Sequence, residues 1–186
     1  MTKRKYLLLF MMLFPLLIMA QNEASKKLIK YEEFVSKSGR ITKFVDKKLP
    51  NCQIDFICSL KSRIRTVFGE NKNLYFLVLE KGKTVSNETT YAYIEYSDLI
   101  ETNKAYARLL SEVNADCETK PDYLQNVFTS EDGFKIGYYV EKSKASWGLK
   151  LVYGGPFIPV SRPEDFAKNL LDAQKEIEAI MVQNGK

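Results

Sequence analysis

Three short runs, residues 63–68 (RIRTVF), 74–80 (LYFLVLE) and 90–96 (TYAYIEY), concentrate β-branched and aromatic side chains between turn-forming segments at 69–73 and 81–89. Such runs predict strands, and with no helical pattern between them they predict antiparallel pairing. Upstream, 34–36 (FVS) and 41–45 (ITKFV) flank Lys37, Ser38, Gly39 and Arg40, which reads as a hairpin or one long bent strand. A cysteine-bearing excursion, 49–60, begins at Pro50 and Asn51. At Ser97 the period changes: Leu99, Asn103, Tyr106, Leu110 and Val113 recur at spacings of four and three, predicting a helix capped by Ser97 or Asp98 that ends before Lys120 and Pro121.

The pattern then repeats. Strand-like runs at 123–129, 134–141, 145–153 and 157–160 are followed by Ser161, Pro163, Glu164 and Asp165, the signature of a helix start. The stripe of this second helix is Phe166, Leu170, Ala173, Ile177 and Ile180. Residues 31–116 and 121–183 thus read as two units, each of four strands and then a helix, with RIRTVF answering to FKIGYY and LYFLVLE to WGLKLVY. The economical packing is an α+β fold, two β-β-β-β-α units sharing one antiparallel sheet of about eight strands with both helices on one face.

The N-terminus departs from this alternation. Lys3, Arg4 and Lys5 precede an apolar run over 6–20 that is shorter than the roughly 20 residues of a spanning helix. It reads as a signal peptide, 1–20, cut between Ala20 and Gln21. That leaves one exported domain, 21–186, with no membrane span, in the periplasm or the medium of a bacterium. The whole chain carries 28 Lys and Arg against 23 Asp and Glu, but three of the cations and none of the acids lie in this leader. The remainder is close to balanced, which speaks against a nucleic-acid partner.

The chain has no histidine, which removes the commonest general base and most zinc ligand sets. No S-x-x-K, G-x-S-x-G or phosphate-loop motif occurs. The pairs Glu131 with Asp132 and Glu164 with Asp165 have structural explanations, a turn and a helix N-terminus. No cofactor and no metal site are expected. Of Cys52, Cys58 and Cys117, the first two share one loop and are the expected disulfide in an oxidising compartment; pairing of Cys117 with either, or none, is the alternative.

Strand alternation predicts that Ile64, Thr66, Phe68, Phe134, Ile136, Tyr138, Val140, Trp147, Leu149, Leu151 and Tyr153 face the helices. The opposite, helix-free face would carry Arg63, Arg65, Lys135, Tyr139 and Lys150, with either Tyr91, Tyr93 and Glu95 or Ala92, Ile94 and Tyr96 from the fourth strand. Tyrosines interleaved with Arg and Lys suit contact with a protein, peptide or glycan. The functional expectation is an exported, non-enzymatic binding module whose site is Arg63, Arg65, Tyr91, Tyr93, Lys135, Tyr139 and Lys150. The alternatives are a carboxylate-dependent glycan hydrolase and a structural subunit that forms homo-oligomers. The run LYFLVLE is apolar on both faces, which requires cover on both sides or an interface.

Overall fold

The computed structural model describes residues 28–37, 39, 41–55, 58–69, 72–82, 89–152 and 154–185; the expected signal peptide and its cleavage site lie outside them. The described chain is α+β, with two antiparallel sheets and three helices. In order these are α1 (Lys30–Val35), β1 (Lys43–Lys48), β2 (Cys52–Gln53), β3 (Ser59–Phe68), β4 (Leu74–Lys81), β5 (Thr90–Glu95) and α2 (Tyr96–Glu118). They continue with β6 (Leu124–Thr129), β7 (Lys135–Glu141), β8 (Lys144–Lys150), β9 (Ile158–Pro159) and α3 (Pro163–Asn184). The first sheet runs β1-β3-β4-β5, with β2 also pairing β3; the second runs β6-β7-β8-β9. No described helix is long and apolar enough to cross a membrane.

The single sheet of about eight strands expected from the element order is therefore not formed. The available edges explain why. β1 is exposed along its length and carries Lys43, Asp46, Lys47 and Lys48, a charged edge that resists further pairing. β9 is two residues long and ends in Pro159, which lacks a backbone donor. β5 passes into α2 without an intervening residue. The two sheets are joined by helices and core instead. One buried cluster takes Ile64, Leu77 and Ile94 from the first sheet, Ile136, Val140 and Leu149 from the second, and Leu99, Tyr106, Phe166 and Leu170 from the long helices. α2 packs on strands of both sheets, and α3 packs on α2 and β2.

Inside each sheet the alternation holds for most of the expected inward set; Phe68 and Trp147 are only partly buried, and Tyr153 lies outside the described residues. Ile64, Thr66, Phe134, Ile136, Tyr138, Val140, Leu149 and Leu151 are buried, and on β5 Ala92 and Ile94 point inward, which leaves Tyr91, Tyr93 and Glu95 on the outer face. Three local expectations are corrected. Residues 34–36 belong to no hairpin: 30–35 form α1, because Tyr31, Phe34 and Val35 share a helical face that packs on Val67, Phe76 and Val78. That cover accounts for the two-sided hydrophobicity of β4, whose Leu77 and Leu79 enter the main core while Phe76 and Val78 lie beneath α1. Glu95, not Ser97, caps α2, its carboxylate accepting from Ser97 N at 2.9 Å. Ser161 does not cap α3; its N–H donates to the Ile54 carbonyl at 2.7 Å and ties the end of the second sheet to the first.

The expected Cys52–Cys58 disulfide is also absent: Cys52, Cys58 and Cys117 are free thiols. Cys52 stands opposite Leu60, and Ile54 N donates to Cys58 O, so the two cysteines are diagonal neighbours across the hairpin. Diagonal neighbours stand roughly 7 to 8 Å apart, beyond the range of about 4.4 to 6.8 Å that a disulfide bridges. Burial pushes the Cys52 thiol up to about 11, against a smaller opposing effect of its hydrogen bond with Ser62, so it is un-ionised at neutral pH.

Candidate functional site

The seven sequence-derived residues fall on two separate outer faces, because there are two sheets. Arg63, Arg65, Tyr91 and Tyr93 share the face of the first. Its cross-strand rows are Asp46, Arg65, Phe76 and Glu95, and next to them Lys48, Arg63, Val78 and Tyr93. Arg65 grips Asp46 with two hydrogen bonds of 2.7 Å and donates to the Tyr31 hydroxyl at 2.8 Å. Its guanidinium also lies 4.1 Å from the centroid of the Phe44 ring. Arg63 pairs with Glu80 at 2.8 Å and Asp46 at 3.2 Å and lies over the Tyr91 ring. From α1, Tyr31 stacks on Tyr93 with centroids 4.1 Å apart and planes within 7°. Both arginines of this group are matched by acids, and α1 sits on top.

The second sheet is different. Its outer face carries Lys135 directly opposite Lys150, then Val127, Gly137, Gly148 and Pro159 in the next row, then Gln125, Tyr139 and Ser146. No helix among the described residues lies on this face; α2 packs on the other side, where Ile136 and Tyr138 are buried. Tyr139 is the middle of an aromatic row, 6.3 Å from Tyr123 with planes 23° apart and 6.1 Å from Phe157. Tyr123 is 57% and Phe157 44% exposed. Lys135, Tyr139, Lys150, Gln125, Val127 and Phe157 surround a shallow hollow of about 40 Å³. Neither lysine has an ion pair or hydrogen bond among the described residues.

Sequence reasoning missed Tyr123, Phe157, Val127 and the two glycines. The glycines were the available signal, since Gly in the middle of a strand marks a close approach. A Cβ on Gly148 would stand 2.0 Å from the Phe157 ring, and one on Gly137 would stand 2.2 Å from the Asn126 carbonyl oxygen. A ring can swing away and a backbone cannot. Gly137→Ala is therefore expected to cost about 1 to 3 kcal/mol of stability, and Gly148→Ala less, with Phe157 displaced instead. Denaturant melts of the two variants check the order; equal losses would contradict it.

A third cluster gathers carboxylates. The Lys30 ammonium lies 2.8 Å from Asp98 and 3.3 Å from Glu131, while Lys30 N donates to Asp132 Oδ1 at 3.0 Å. Asp132 is 8% exposed, and its Oδ2 and that of Asp98 have no hydrogen-bond partner. Burial raises the Asp132 pKa, opposed by the Lys30 N–H bond and reinforced by Asp98. A carboxyl with a raised folded-state pKa weakens the native state at pH above that value, and the penalty fades as pH falls through it. Asp132→Asn keeps an acceptor for Lys30 N, so it is expected to equal or exceed the parent in stability at pH 7, with the difference shrinking on acidification. Urea titrations between pH 7 and 4 test this, and a clear loss at pH 7 would overturn it.

Of the other hollows, the one between α2 and α3 has about 350 Å³ and no acidic lining. The one beside Cys52 has about 160 Å³, with Asp172 and Glu176 both on α3. Neither sets two acids on opposing walls. Among the described residues no group of three His, Cys, Asp or Glu side chains is arranged for a metal ion. No protein-family model matches the chain, and comparisons with curated proteins and with solved structures return no match.

Proposed function

We propose that the protein is an exported, non-enzymatic binding module whose contact surface is the outer face of the second sheet. The observation that carries this reading is the contrast between the two outer faces. In the first sheet Arg63 and Arg65 are paired with acids and α1 lies over the face. In the second, Tyr123, Tyr139 and Phe157 form a row that no described element covers, beside two lysines unpaired among the described residues. Exposed aromatic rings with nearby cations are what contact surfaces concentrate, since rings offer rigid apolar area at low entropic cost. Of the sequence-derived residues, Lys135, Tyr139 and Lys150 then touch the ligand, and Arg63, Arg65, Tyr91 and Tyr93 build the scaffold.

Export rests on the basic and apolar pattern of 1–20. In a host that exports the protein, mass spectrometry of the extracytoplasmic fraction should find a mature chain starting at Gln21. Purified mature protein should be retained on isolated cell-envelope material. A variant carrying Lys135→Glu and Lys150→Glu, with unchanged circular dichroism, should be released. Equal retention of the two would overturn the choice of face.

A further inference from the structure

The composition of this face narrows its ligand. Lys135 and Lys150 are direct cross-strand partners, an arrangement in which like charges repel and destabilise the pair. Three partly buried cations elsewhere are neutralised within the chain: Lys30 by Asp98 and Glu131, Arg63 by Glu80 and Asp46, Arg65 by Asp46. Lys135 and Lys150 are half-buried in the wall of the shallow hollow and have no such acid. An anion from outside the chain would complete the set. Lysine ammonium groups act as point charges, so they specify negative charge without demanding the planar, two-pronged geometry that arginine does.

The rest of the face specifies what carries that charge. The row of Val127, Gly137 and Gly148 has two glycines side by side, and the Phe157 ring lies against Gly148, so the surface between the lysines and Tyr139 is low and partly floored by that ring. The resulting hollow of about 40 Å³ is far below the roughly 300 to 1,000 Å³ of pockets that enclose small ligands. A ligand must therefore lie across this surface. Tyr123 and Tyr139 lie 6.3 Å apart with planes 23° apart, and Phe157 continues the row 6.1 Å from Tyr139 with its ring tilted by 56°; Gln125 and Ser146 flank Tyr139 with hydrogen-bonding groups. A chain of sugar rings has the matching chemistry, with C–H faces to stack on aromatic faces and hydroxyls for the polar neighbours. An extended peptide, by contrast, gains its main-chain hydrogen bonds at a sheet edge and not on a sheet face.

We infer that the outer face of the second sheet binds an anionic polysaccharide, its rings stacking on Tyr123, Tyr139 and Phe157 and its acidic substituents meeting Lys135 and Lys150. This rests on the proposed role of that face and goes further by naming the ligand class. Calorimetric titration of the mature protein would use two matched pairs of probes: oligogalacturonate with its methyl ester, and dextran sulfate with dextran. Polyglutamate supplies charge without sugar rings. At least one anionic glycan should bind, its neutral counterpart should bind about tenfold or more weakly, and added salt should erode the difference.

Lys135→Gln with Lys150→Gln should remove the preference for the charged member of the pair. Tyr123→Ala, at an exposed position where folding is not at stake, should weaken the anionic glycan without restoring the neutral one. Polyglutamate binding as tightly as the glycans would overturn the inference, since charge alone would then suffice. So would equal binding of charged and neutral glycans, or binding of neither anionic probe. If the probes fail while envelope retention still depends on Lys135 and Lys150, the ligand class falls and the face remains. If retention is also independent of them, both fall.

Discussion

Truncating Leu170 to alanine should lower one melting transition of the entire chain by about 2 to 5 kcal/mol of stability, a large part of the roughly 5 to 15 available to a domain. Leu170 is fully buried, in a cluster built from both sheets and both long helices. Removing its side chain therefore leaves a cavity that neither half of the chain can close alone. The four-and-three spacing of α2 would nominate Leu110 as its counterpart. The structure puts Leu109 in that place, 4% exposed, and turns Leu110 toward the groove between α2 and α3. Leu109→Ala should approach the Leu170→Ala loss, whereas Leu110→Ala should cost about 1 kcal/mol or less. Differential scanning calorimetry reads both quantities. Two separable transitions, with Leu170→Ala moving only one, would refute the shared core.

Replacing Arg65 by alanine should cost roughly 2 to 4 kcal/mol, somewhat under the loss expected when one partner of a fully buried ion pair is removed. The side chains of Arg65 and Asp46 are 11% and 28% exposed, so Asp46 would regain part of its hydration. The variant loses both bonds to Asp46, the bond to the Tyr31 hydroxyl and the contact with Phe44. Arg65→Lys should recover little, because an ammonium cannot reproduce the two-pronged grip. The same pair sets a pH dependence. Arg65, by hydrogen bonding and then by charge, holds the Asp46 carboxyl below its ordinary 3.8, with burial opposing. A depressed carboxyl stabilises the fold above its unfolded value, and that stability is lost as pH falls through the folded one. Urea melts from pH 7 to pH 3 should therefore show a shallower acid-side decline for Arg65→Ala than for the parent. Parallel declines would remove Arg65 as the cause.

Most of the local structure was legible in the residues. Strand parity follows from period-two alternation, so the inward set of Ile64, Ile136, Val140 and Leu149 could be assigned without a fold. The stripe of Phe166, Leu170, Ala173 and Ile177 was equally plain from helical spacing. Of the candidate face, Lys135, Tyr139 and Lys150 were legible because alternation carries each outward from a known strand.

Other features depend on contacts between distant segments, which no local period encodes. Whether two meanders join into one sheet is settled at their edges, and here the charges of β1 and the proline of β9 leave the joining to helices and core. Residues 30–35 have a strand-like and a helix-like reading; docking of Tyr31 and Phe34 on the outer face of the first sheet selects the helix. That same docking separates Arg63 and Arg65 from Lys135 and Lys150, since it covers one outer face while no described element covers the other. The aromatic platform likewise required the fold, because Tyr123, Tyr139 and Phe157 come from three segments that only strand pairing brings into one row.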